Sequence, residues 1–77
     1  MNQFAITSTS SAITLNQRER QFLQLACTEL TYAQIAERMC LSPRTIDGYR
    51  EALFVRLQLK SRVGLVMWAI KGGFVIL

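Results

Sequence analysis

The chain is 77 residues long, enough for one small domain with a thin core. Hydrophobic residues make up 51% of it, which excludes a disordered segment, while a formal charge of +4 suits either an anionic partner or ordinary solubility. The chain has no histidine, and its two cysteines, Cys27 and Cys40, lack CxxC spacing; the usual general base and the usual metal cluster are therefore both missing.

Residues 1–14, opening MNQFAITSTSSA, are uncharged and rich in Ser and Thr, and read as a linker or frayed terminus. The domain is expected over 15–77. Capping chemistry then predicts four helices. Asn16 with Glu19 three residues later fits a capping box, in which each side chain satisfies a free backbone N–H, and starts a helix near 17–28 lined by Phe22, Leu23, Ala26 and Leu30. Thr31 with Gln34 repeats the pattern for a helix near 32–39, lined by Tyr32, Ile35, Ala36 and Met39. Ser42 before Pro43 places a cap and then a proline where its missing N–H costs nothing. The helix that follows, near 43–57, is lined by Ile46, Tyr49, Leu53, Phe54 and Leu57. Ser61 caps a fourth helix near 62–71, and Gly72–Gly73 ends it. No run combines period-two alternation with turn signals. The expectation is an all-α, compact four-helix domain without a sheet.

The fourth helix differs from the others. Val63, Leu65, Val66, Met67, Trp68, Ala69 and Ile70 set apolar groups nearly all round it. Either part of that surface meets another subunit or domain, or the tail Phe74–Leu77 folds back over it. The apolar run 63–70 is too short for a membrane span, and no signal peptide is visible. Cys27 and Cys40 read as small core hydrophobes of a reduced, cytoplasmic protein. Cys27, Met39 and Trp68 read as packing residues, and no cofactor is expected.

The charge is uneven. Residues 1–41 balance Arg18, Arg20 and Arg38 against Glu19, Glu29 and Glu37. Residues 42–62 set Arg44, Arg50, Arg56, Lys60 and Arg62 against Asp47 and Glu51, so the basic surplus lies on the third helix and just after it. The second helix, a short break at Cys40–Leu41 and the third helix (about 32–51) form a helix-turn-helix pattern, whose second helix enters a DNA major groove.

These residues resemble a known family. LNQRERQFLQLA (15–26) is similar to the opening motif of the LuxR-type DNA-binding domain, the group that includes the NarL/FixJ response regulators and the GerE-like proteins. TYAQIAERMCLSPRTIDGYREALFVRLQLKSR (31–62) resembles its helix-turn-helix and following turn, through Ile35, Ala36, Leu41, Ser42, Thr45, Leu57 and Lys60–Ser61–Arg62. The resemblance implies phosphate contacts from around Thr45 and from Lys60, Ser61 and Arg62. It implies base contacts from Asp47, Gly48 and Glu51, and dimerisation through the fourth helix at Val63, Val66, Met67 and Ile70. Four positions depart from the family pattern: Glu29 and Cys40 stand for glycines, Asp47 for a basic residue and Tyr49 for a histidine.

At 100° per residue, Ile46, Leu53 and Leu57 set the buried direction of the third helix. Its opposite face carries Arg44, Gly48, Glu51 and Val55, with Asp47 on the edge. That face is poor at holding phosphates, although a carboxylate can accept from cytosine N4. Arg50 falls near the buried side, where an ion pair with a carboxylate such as Glu19 is expected. Affinity would then come from Arg44, Lys60 and Arg62, with Arg56 as a further candidate.

Together these readings point to sequence-specific binding of double-stranded DNA by a homodimer, as the effector domain of a response-regulator-type transcription factor and not an enzyme. A receiver or ligand domain preceding residue 1 and RNA polymerase are the further partners this implies. The alternative is a protein-interaction module that keeps the fold with weak or no DNA binding, a reading motivated by Asp47 and Glu51.

Overall fold

The computed structural model describes residues 14–75, and most of the expected linker therefore lies outside the described residues. Four helices follow one another: α1 (Gln17–Ala26), α2 (Tyr32–Met39), α3 (Pro43–Leu57) and α4 (Arg62–Lys71). No strand occurs among the described residues.

All four expected caps form. The Asn16 side chain accepts from the Glu19 N–H at 2.7 Å, and Glu19 accepts from the Asn16 N–H at 3.0 Å. Thr31 and Gln34 exchange the same pair of bonds at 3.1 and 2.8 Å. Ser42 and Ser61 accept from the N–H groups of Thr45 and Gly64, each at 3.1 Å. Each cap satisfies a donor that the first helical turn otherwise leaves unpaired.

Helix ends reuse one device. α2, α3 and α4 are each followed by a left-handed residue: Cys40 (φ 56°), Gln58 (φ 57°) and Gly73 (φ 78°). The next N–H turns back to the helix, from Leu41 to Ala36 at 2.9 Å, from Leu59 to Phe54 at 2.8 Å and from Phe74 to Ala69 at 2.9 Å. Leu41, Leu59 and Phe74 then pack against the core, the hydrophobic contact that accompanies this kind of stop. Only Gly73 reaches the left-handed region without a Cβ penalty. Glu29, by contrast, has no positive φ, so its turn needs no glycine.

The core comprises Leu15, Phe22, Leu23, Ala26, Ile35, Ala36, Met39, Ile46, Leu53, Leu57, Leu65 and Ala69, with no charged or polar residue buried among the described residues. Periodicity identified most of these. Two expectations need correction. α1 stops at Ala26 instead of continuing to 28, because the chain turns at Cys27–Thr28, where Cys27 and Thr28 N–H groups bond back to Gln24 and Leu25. Cys40 is exposed and not a core residue, because the left-handed stop turns it outward, while Cys27 is half-buried. Burial pushes the Cys27 thiol above its ordinary pKa, against a smaller lowering by the Arg62 charge.

On α4 only Leu65 and Ala69 are buried. Phe74 folds back and stacks on Trp68 with ring centroids 5.0 Å apart, so the fold-back covers one side of the helix. Residues 76 and 77 of the expected fold-back lie outside the described residues. Val63 and Met67 stay exposed, at 71% and 51%, and they form the uncovered side.

Candidate nucleic-acid interface

The helix-turn-helix is formed by α2, the Cys40–Leu41 stop and α3. Thr31 and Ser42 start its two helices, and Ile35, Ala36, Met39, Ile46 and Leu53 lock them onto the core. With its buried side fixed, α3 shows Arg44, Thr45, Asp47, Gly48, Glu51 and Val55 to the outside. The exposed face is therefore the one that helical arithmetic delivered. Thr45 and Ser42 hydroxyls share a hydrogen bond of 3.0 Å at its N-terminal end. A Cβ placed on Gly48 would meet nothing within 4 Å, so this point of the helix is open backbone.

Arg50 has different partners from the one its sequence position suggested. Its guanidinium donates to Asp47 Oδ1 at 3.1 Å and to Glu51 Oε2 at 3.2 and 3.1 Å. Its Cζ lies 5.0 Å from the centre of the Tyr32 ring. The expected Arg50–Glu19 pair is thus absent. Glu19 pairs instead with Arg56 at 2.6 Å, because the last turn of α3, and not its middle, reaches the start of α1. Arg56 also donates to the Thr14 carbonyl at 2.7 Å, so it is a structural clamp and not an unattached flank charge.

Arg62 departs further from expectation. Its Nε donates to the Ala26 carbonyl at 2.9 Å, and its Nη2 donates to the carbonyls of Thr28 and Leu30 at 2.9 and 2.6 Å. The same guanidinium sits 4.9 Å from the Tyr32 ring centre. It satisfies the Ala26 carbonyl, which the end of α1 leaves without an internal partner, and two carbonyls of the turn to α2. The phosphate contact expected of Arg62 competes with this inward arrangement. Lys60, in the turn between α3 and α4, and Ser61 remain exposed.

The sequence reading missed the Arg50 ion pairs, the Arg56 clamp, the shared Tyr32 platform and the Arg62 clamp. The i, i+3 spacing of Asp47 and Arg50 was a usable signal for the first of these. Nothing in the spacing points from Arg62 to carbonyls more than thirty residues away.

An open groove of about 930 Å³ lies between the α1–α2 turn and α4, lined by Ala26, Leu30, Val63, Val66 and Met67 among others. Ile70, the fourth expected dimerisation residue, is half-buried. No helix among the described residues is long and apolar enough to cross a membrane.

Comparison with known proteins is consistent with this geometry. The family model GerE, described as bacterial regulatory proteins of the luxR family, matches residues 13–69. The chain is 38% identical over 61 residues to the transcriptional regulatory protein FixJ of Rhizobium meliloti (strain 1021), covering 79% of this chain and 30% of FixJ. It is 33% identical over 61 residues to the response regulator GacA of Pseudomonas aeruginosa, covering 79% of this chain and 28% of that protein. To GacA of Pseudomonas protegens it is 32% identical over 72 residues, 94% of this chain and 34% of that relative. The chain thus spans about a third of the length of these relatives or less. No solved structure gives a significant match.

Proposed function

The chain belongs to the luxR family of bacterial regulatory proteins, a family of regulators and not of enzymes, and from that premise we propose that it binds specific sites on double-stranded DNA with α3 in the major groove. The observation that carries the proposal is the exposed face of α3, bare of bulky apolar groups except Val55 and open at Gly48, beside the basic turn at Lys60. In this reading Asp47, Gly48 and Glu51 face base edges, while Arg44 and Thr45 contact phosphate from the first turn. Lys60, Ser61 and the N-terminal N–H groups of α4 supply further phosphate contacts. Arg62 serves this turn by holding α4 in place.

Two copies would read two half-sites, paired through the uncovered side of α4, where Val63 and Met67 stand beside Val66 and Ile70. Because the relatives are about three times longer, the proposed chain is the effector part of a response regulator whose receiver domain lies elsewhere, with RNA polymerase as the partner it meets on DNA. Cytoplasmic location follows from that role.

Selection from a pool of random duplexes, followed by salt titration on the selected and a random duplex, tests the proposal. The expected result is one recurrent motif and a binding constant that falls steeply with salt. No binding at low salt would refute it and favour a protein-interaction module, the reading that Asp47 and Glu51 otherwise support.

A further inference from the structure

We propose that Arg50 is a positioning residue of this interface: anchored on the Tyr32 ring, it holds the carboxylates of Asp47 and Glu51 so that one of them accepts the free N4–H that a paired cytosine leaves in the major groove. The inference rests on the DNA-binding reading and deepens it by naming the base chemistry that the site takes.

The geometry runs outward from the core. Phe22 is fully buried, and Tyr32 stacks on it at 6.2 Å between ring centres. Tyr32 is the first residue of α2, directly after the doubly bonded Thr31 cap, so its backbone is pinned. The Arg50 guanidinium lies over this ring and bonds both carboxylates. Its side chain is 25% exposed against 56% and 65% for Asp47 and Glu51, so the cation is the inner member and the acids are the outer ones.

A planar guanidinium presents its N–H groups in a fixed fork, and stacking on an aromatic ring holds that fork still. The bonds occupy Oδ1 of Asp47 and Oε2 of Glu51 and do not use Oδ2 or Oε1, and with both side chains more than half exposed those oxygens are left to accept from an incoming donor. Without Arg50 the two acids would add two uncompensated negative charges to a helix near phosphates; with it the group carries one. In the major groove, cytosine presents an amino donor with no acceptor on the same base. Guanine and thymine present acceptors, which carboxylates repel, and adenine sets its N7 acceptor beside its donor. Holding the acids in place beforehand removes part of the ordering cost of the contact.

The test uses the 77-residue chain on its selected duplex and on the same duplex carrying a cytosine analogue without the 4-amino group. The natural chain should bind the analogue roughly tenfold more weakly, as expected for the loss of one base contact. Arg50→Gln should reduce that ratio to about threefold or less, a change that a purely structural role would not produce in a ratio between two duplexes. Arg50→Lys keeps the charge but loses the fork and should also lose discrimination, which covers the case in which Arg50→Gln folds poorly. If the natural chain binds duplex but ignores the missing amino group, or if folded Arg50 variants discriminate as well as it does, the inference is overturned while DNA binding stands. If the natural chain binds no duplex, the DNA-binding reading fails and the inference falls with it.

Discussion

Gly48→Ala separates the stability of α3 from its proposed use in DNA binding. Gly48 lies inside the fifteen-residue α3, where glycine costs about 1 kcal/mol relative to alanine because its backbone loses more freedom on folding. The new methyl would meet no atom within 4 Å, so no steric term offsets the gain. The variant should therefore be about 1 kcal/mol more stable, a rise in Tm of roughly 4–8 °C for a domain of this size. Binding should move the other way. If DNA approaches α3 closely at Gly48, as proposed, a methyl there obstructs that approach, so affinity for the selected duplex should fall while the domain itself becomes firmer. Thermal unfolding and duplex titration on the same preparation measure both quantities. An unchanged or lowered Tm would refute the reading of Gly48 as an open helical position. A more stable variant with undiminished affinity would refute close approach of DNA at this point.

Arg62→Ala removes three charge-assisted bonds to carbonyls and should destabilise the domain by about 2–4 kcal/mol in denaturant unfolding, whereas Lys60→Ala should leave stability nearly unchanged and flatten the salt dependence of DNA binding by about one phosphate. The reverse pattern would restore Arg62 as a phosphate contact. Glu19→Ala should cost about 1–2 kcal/mol, since one carboxylate both closes the α1 capping box and pairs with Arg56. A double-mutant cycle with Arg56→Ala should show a coupling of about 0.5 kcal/mol, and no coupling between Glu19 and Arg50. Timed alkylation at neutral pH followed by mass spectrometry should label exposed Cys40 before half-buried Cys27, whose raised thiol pKa lowers its thiolate fraction. Equal rates would contradict the difference in burial between the two thiols.

The helices were legible because their signals are local. Asn16, Thr31, Ser42 and Ser61 act on N–H groups three residues away, and Ile46, Leu53 and Leu57 fix a buried direction by period alone. The exposed face of α3 follows from the same arithmetic, so Asp47, Gly48 and Glu51 were placed correctly on its outside. Arginines were not legible in the same way. A long side chain reaches any acceptor that the packing brings near, and the crossing of α1 with α3 decides whether residue 50 or 56 meets Glu19. Arg62 finds carbonyls, which carry no side-chain signature. The basic residues here therefore divide by geometry into those with partners inside the domain, Arg50, Arg56 and Arg62, and those that stay exposed on its surface, Arg44 and Lys60.

Titration of the isotopically labelled chain with its selected duplex, followed by amide NMR shifts, asks whether α3 and the Lys60 turn meet DNA. The largest changes are expected at Thr45, Asp47, Gly48, Glu51, Lys60 and Ser61, with little change on the exposed side of α1 at Arg18 and Gln21. Large shifts confined to α4 or α1, with Gly48 and Glu51 unmoved, would contradict that contact.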